Sequence, residues 1–166
     1  SRDIHTLKAH LEQDPRVGII APKLVYPDGR LQYSCRRFPT FASILWRGLG
    51  FTEDRKWVPK SVQKLLMMDN RHTAVMEVDW VLFSCLMIRR KMLDDIGGIN
   101  EKYPLYYNDV DLGFRAQRRG WKVLYVPEVQ AIHHYERGSA RGGLFNKLKW
   151  MHFLSAIRFL IQKNFL

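Results

Sequence analysis

The stretch from Val78 to His134 narrows the fold more than any other part of the chain. Its apolar run Val78 to Ile88, with Trp80 near the start, predicts a strand. A short helix over Lys91 to Ile96 follows and stops at Gly97-Gly98, residues that suit a helix C-terminus. Next comes a loop rich in aromatics, Asn100 to Tyr107, and then an acidic start, Asn108-Asp109-Val110-Asp111, to a basic helix over Asp109 to Arg119 that Gly120 ends. A strand over Lys122 to Val126 leads to His133-His134. This order brings a carboxylate cluster and a histidine pair into one β-rich module, the composition of an active site.

Upstream, Asp3 to Gln13 reads as a helix, with Leu7 and Leu11 one turn apart and Asp14-Pro15 closing it. Val17 to Tyr26 predicts a buried strand interrupted by Pro22. Pro27-Asp28-Gly29 is a turn signal, with Leu31 to Cys35 as the return strand of a hairpin. Pro39 to Met68 carries aromatics without clean periodicity and reads as short helices or an acceptor-side insertion. The 166 residues suit one domain with a real core, and the 46% hydrophobic content argues against disorder.

The net charge of +11 favours an anionic partner, whether membrane lipid, nucleic acid or a phosphorylated substrate. The basic residues are spread along the chain, with no run of the kind found in nucleic-acid tails. Cys35 and Cys85 form no CxxC pair, and Cys85 lies in the predicted apolar strand, so both are expected to be buried, reduced thiols of a cytosolic protein. No signal peptide is visible, and Ser1 reads as a processed or cut end. The longest uncharged run near the C-terminus, Trp150 to Ile157, is far shorter than the about 20 apolar residues a membrane-spanning helix needs.

Asp109-Val110-Asp111 matches a D-x-D metal pattern on its face. Residues two apart on a helix point roughly 200° apart, so both carboxylates reach one metal only outside regular helix. Local sequence favours capping, with Asn108 as N-cap and Asp111 at the third helical position, where a carboxylate can bond back to the cap amide. Asp109 suits the helix dipole, and it can start the helix and still point into a cleft.

Asp79-Trp80-Val81, Ile88-Arg89-Arg90, Gly97-Gly98-Ile99-Asn100-Glu101 and Tyr106 to Leu112 occur in that order. Arg115, Gly120-Trp121, Val126-Pro127 and His133-His134 follow. Together with Val17 to Leu24 and Asp28-Gly29, this ordered set resembles the C-terminal half of family 2 glycosyltransferases of the rhamnosyltransferase-like kind, across essentially the whole chain. The chain departs from the pattern at Asn108, where the family has an acidic residue, and at Phe83, where it has Gly.

The resemblance implies an α/β fold, the acceptor-side portion of a GT-A fold with a mixed sheet flanked by helices, over residues 1–142. A basic, aromatic C-terminal helix occupies 143–166. It implies inverting transfer of a sugar from a nucleotide-diphosphate donor to a hydroxyl of a glycan or lipid-linked acceptor, in which one ionised carboxylate takes the hydroxyl proton. By position Asp109 is that base, with Asp79, Trp80, Asn108 and Asp111 on the acceptor or sugar side. For Trp80 an ordinary strand-core role is the simpler alternative. His133 or His134 would approach the metal-diphosphate, and Arg137, Ser139 and Arg141 follow in a Gly-rich loop that could grip phosphate or simply be solvated.

The resemblance places the nucleotide-binding half and its metal aspartates before Ser1. Mg2+ or Mn2+ is therefore expected in the intact enzyme and none on this chain alone, which is expected to be inactive by itself. An unpaired sheet edge would then invite a homodimer. Location in the cytoplasm, peripheral at the inner face of the cell membrane, fits a lipid-linked acceptor. Two other readings remain: a non-catalytic interaction domain derived from a transferase, and a basic nucleic-acid-binding module. The second leaves Asp109 and His133-His134 unexplained.

Overall fold

The computed structural model describes residues 2–134 and 147–165, so Arg137, Ser139 and Arg141 lie outside the described residues. The parallel pair β1 (Val17–Val25) and β7 (Lys122–Ile132) forms the middle of a five-stranded mixed sheet. β2 (Leu31–Gln32) and β6 (Met87–Ile88) pair antiparallel with β1, and β4 (Met76–Val78) pairs antiparallel with β7. A second, two-stranded sheet joins β3 (Cys35–Arg36) to β5 (Trp80–Val81).

β1 is buried along nearly its whole length, as a parallel strand covered on both faces should be. With a side-chain period of two, Ile20, Val126 and Val129 face α1 (Arg2–Gln13) through Leu7. Ile19, Ala21, Val123 and Tyr125 face the opposite core, built with Met92 of α4 (Arg90–Ile96) and Leu112 and Ala116 of α5 (Asn108–Arg118). Arg89 joins the ends of these layers: its Nε donates to Val17 O at 2.8 Å, and Nη2 donates to Leu11 O.

The predicted strand ending at Val126 continues to Ile132. Its register slips between the pairs Pro22–Val126 and Lys23–Gln130, so Pro127, Glu128 and Val129 bulge. Pro22 and Pro127 lack amide donors, which makes this the natural place for the ladder to break.

Val78 to Ile88 is not one strand. It divides into β4, β5 and β6, which belong to different pairings, and the half-buried Cys85 lies in the turn between the last two. The change of sheet occurs at Asp79. Its amide donates to Arg36 O, while Gln117 of α5 caps the carbonyls of Val78 and Asp79 at 3.1 and 2.9 Å. The return strand of the hairpin divides in the same way, β2 staying with β1 and β3 pairing with β5. Its turn forms as expected, with Gly29 at φ +81° donating to Tyr26 O.

Within 39–68 lie α2 (Phe41–Gly48) and α3 (Lys60–Leu65). Thr40 and Ser43 form a capping box at the start of α2. α4 ends in a Schellman motif, Gly98 donating to Leu93 O and Gly97 to Asp94 O, with Gly97 at φ +77°. α6 (Lys147–Phe165) covers the aromatic side of α5 through Ala156 and Phe159.

α5 lies so close to β5 that a Cβ on Gly113 would stand 2.6 Å from Asp79 O and 2.8 Å from Trp80 Cβ. At Gly18 the nearest obstacle is Met92 Cγ, also at 2.6 Å, on a side chain that can rotate. Gly113→Ala is therefore expected to cost about 1–3 kcal/mol by overpacking, and more than Gly18→Ala, in urea unfolding followed by circular dichroism. Equal losses at the two sites would show that backbone contact does not limit the approach of α5.

Candidate active site

The centre of the site is the first turn of α5. Tyr107 caps the helix in a left-handed conformation, φ +69°, and its carbonyl accepts the first helical hydrogen bond from the Asp111 amide at 2.9 Å. Asn108, expected as the N-cap, is instead the first helical residue, and its Oδ1 accepts from the Asp109 amide at 3.0 Å. The cap moves to Tyr107 because that ring is held in an aromatic cluster, 5.3 Å from His152 and 5.9 Å from Phe159.

The two aspartates have different surroundings. Asp111 is fully buried and makes no bond back to the cap amide. Arg115 Nε donates to its Oδ2 at 2.7 Å, and Gln162 of α6 and Asn100 donate to its Oδ1 at 2.8 and 3.3 Å. Arg115 Nη1 also donates to Ile96 O at the end of α4. Asp111 thus joins α5, α6 and the loop after α4.

Asp109 carries no such ion pair. Its Oδ1 accepts from the Val110 amide at 2.9 Å, and the residue is half-buried. Burial pushes the carboxyl up from the ordinary 3.8 to about 6, against the Val110 hydrogen bond and the positive charge of Arg36. The same Arg36 acts on Tyr107 and His152. Tyr107 is held well above its ordinary range by burial first and then by the Asp109 carboxylate. His152 lies edge-on to Tyr106 and Tyr107, and burial followed by the charges of Arg47 and Arg36 lowers its pKa to about 4. Arg36 thus acts on Asp109, Tyr107 and His152 together, and Arg47 acts on the last two. At neutral pH the Asp109 carboxylate is ionised and can accept a proton.

Trp80 is 5% exposed, donates from Nε1 to Arg37 O at 2.9 Å, and lies under the Arg36 guanidinium, 5.2 Å from Cζ to ring centroid. It belongs to the aromatic core against α5. Asp79 is engaged by Arg37 Nη1 at 3.1 Å and by the Phe38 amide at 2.6 Å, which fixes the chain where it changes sheets. Phe83 packs against the core between β1 and α5.

His133 lies at the end of β7, where Nδ1 donates to Gln32 Oε1 at 2.9 Å and the amide donates to Val25 O; His134 beside it is exposed. Among the described residues no group of three or more His, Cys, Asp or Glu side chains is placed to hold a metal ion. Among the described residues the Mg2+ or Mn2+ that the resemblance implies has no such group to hold it.

Sequence reasoning missed Arg36, Tyr107, His152 and Gln162 as members of this site. Gly113 was a readable signal only for the close approach of α5 to Asp79 and Trp80, since a glycine inside a helix costs about 1 kcal/mol.

A mixed sheet flanked by helices is consistent with a GT-A-like nucleotide-sugar transferase domain. Residues 4–160 match the model of glycosyl transferase family group 2, and the chain belongs to that family. It is similar to N-acetylglucosaminyl-diphospho-decaprenol L-rhamnosyltransferase of Mycobacterium tuberculosis, 31% identical over 127 residues, covering 76% of this chain and 40% of that protein. It is similar to rhamnosyltransferase WbbL of Escherichia coli, 29% identical over 135 residues, covering 81% and 46%. With the O-antigen biosynthesis protein RfbC of Myxococcus xanthus it shares 27% identity over 124 residues, 74% of this chain and 9% of that one. The chain spans about two fifths of the length of the first of these relatives.

Two stability predictions follow from the contrast between the aspartates. Asp111→Ala leaves Arg115 without its carboxylate and is expected to destabilise the chain by about 3–5 kcal/mol, read as a lower urea midpoint. Asp109→Asn should act in the opposite direction. The unfolded carboxyl ionises near 3.8 and the folded one near 6, so the cost of burying the charge grows between those values and is complete above them. The variant is expected to be more stable than the native chain by at most about 3 kcal/mol at pH 8, with no difference at pH 3.5. A gain of equal size at both pH values would exclude a buried, ionising Asp109.

Proposed function

We propose that this chain is the acceptor-side portion of an inverting glycosyltransferase that moves a sugar from a nucleotide-diphosphate donor to a hydroxyl of a lipid-linked glycan in cell-surface polysaccharide synthesis. The observation that carries the reading is Asp109: a carboxylate at the start of α5, raised to about 6 and without a neutralising ion pair, next to the Tyr107 cap and within the field of Arg36. Family membership and the glycan-synthesis names of the relatives support the reaction class. The diphospho-decaprenol in one relative's name supports a lipid-linked acceptor, and with it a place at the inner face of the cell membrane.

In this reading Asp109 accepts the acceptor's hydroxyl proton as that oxygen bonds to the anomeric carbon. The bond from that carbon to the diphosphate oxygen breaks, and the nucleoside diphosphate leaves with the electron pair. A carboxyl with a pKa near 6 is ionised at neutral pH and still basic enough to share a proton in the transition state. Arg36 keeps it ionised and offers positive charge to an anionic substrate. Asp111 is a positioning residue that holds the start of α5 through Arg115, Asn100 and Gln162.

The test is turnover by the intact transferase that contains this chain. Asp109→Asn keeps an oxygen for the Val110 amide and is expected to lower kcat by about 10²–10⁴-fold with the fold retained. The native rate is expected to rise with pH through about 6. Unchanged turnover in the variant would remove Asp109 from the chemistry and leave a non-catalytic interaction domain as the better account.

A further inference from the structure

We propose that α2 and α6 form a membrane-docking face that seats in the interface of an anionic bilayer. The inference rests for its purpose on the lipid-linked acceptor proposed above, and for its argument on surface chemistry alone.

α6 has two faces. At 100° per residue, Trp150, Phe153, Leu154, Ile157 and Ile161 fall within an arc of about 100°. All five are exposed, Leu154 by 61% and Ile161 by 55%. The opposite side carries His152, Ser155, Ala156, Phe159 and Gln162, which face the body of the protein. α2 lies against α6 and repeats the pattern: Phe41, Leu45 and Leu49 recur every fourth residue and are 72%, 51% and 62% exposed, while Ser43 is buried. A soluble protein rarely leaves such stripes on two neighbouring helices in water, and exposed apolar surface on this scale marks an interaction site.

Charge identifies the occupant. α2, α3 and α6 together carry seven Lys and Arg and no Asp or Glu. α1, α4 and α5 each carry acidic and basic residues in equal number. The helical excess of positive charge is thus confined to the helices that bear the exposed apolar stripes and their neighbour α3. On α6, Lys147 lies along one edge of the stripe and Lys149 along the other, while Arg158 turns back to the body, donating to Lys102 O and lying over the Tyr103 ring. Aromatic and aliphatic side chains flanked on both sides by long cations are what a helix lying in a headgroup layer presents. The stripe enters the acyl boundary while the cations reach anionic phosphates. Among the described residues no helix is long and apolar enough to cross a membrane, so this contact is peripheral. The inner face of α6 carries His152 and Gln162 of the candidate site, so the helix that meets the bilayer also lines the acceptor's destination.

The experiment is flotation of the intact transferase with vesicles of phosphatidylglycerol and phosphatidylcholine in equal parts, and with phosphatidylcholine alone. The native protein is expected to float with the mixed vesicles, and Leu45→Glu with Leu154→Glu is expected to bind them at least about tenfold more weakly. Both residues are exposed, so the variant should fold and keep its kcat on a short-chain, water-soluble acceptor while losing turnover on acceptor embedded in vesicles. Three results would overturn the proposal: no binding to either vesicle, a double variant that binds as well as the native protein, or a vesicle-independent dimer that the variant dissociates. The soluble-acceptor assay reports the transferase reading separately, so either idea can fail without the other.

Discussion

The buried carboxylate of Asp111 is the joint on which the candidate site hangs. An ionised group with no exposure is tolerable only when its charge and lone pairs are matched, and here Arg115, Asn100 and Gln162 do so. Each partner comes from a different place: one turn along α5, the loop after α4, and the last turns of α6. Arg115 extends the joint to the end of α4 through Ile96 O. Three separate segments are therefore set relative to the start of α5, and the aromatic cluster of Tyr103, Tyr107, Phe114 and Phe159 fills the space between them.

That arrangement explains how two aspartates two residues apart come to differ. The helix turns Asp111 into the interior, where ion pairing and hydrogen bonds use up its charge. Asp109 lies about 200° round the helix from Asp111, where burial raises its pKa and no ion-pair partner is supplied. Desolvation alone then raises its proton affinity, and the nearby Arg36 limits the rise. One carboxylate is matched by ion pairing and hydrogen bonds, and the other is desolvated without an ion pair, so the two environments push the pair apart.

The same economy appears in α6. Its inner face supplies Gln162 to Asp111 and His152 to the rings around Asp109, while its outer face is apolar and edged by cations. A glycosyltransferase acting on a lipid-linked acceptor has to meet a substrate whose anchor lies in a bilayer and whose reactive hydroxyl lies in water. In the reading proposed above, the two faces of α6 would serve those two environments.

Much of this was legible in the sequence, because its signals are local. The Gly97-Gly98 stop, the Pro27-Asp28-Gly29 turn and the end of α5 before Gly120 depend on backbone geometry that nearby residues dictate. The ordered motifs identified the family, and Asp109 stood out by position. Val78 to Ile88 looked like one strand because an apolar run carries no record of its partners; the break at Asp79 comes from Arg37, Phe38 and Gln117, distant in sequence. Asn108 looked like the cap because its side chain suits one, yet the packing of Tyr107 against α6 moved the helix start. Thus the sequence by itself determined the helices, the turns and the presence of a carboxylate at the start of α5. Only the tertiary structure decided which aspartate is buried with an ion-pair partner and which without, because burial and charge pairing arise from segments that meet only on folding.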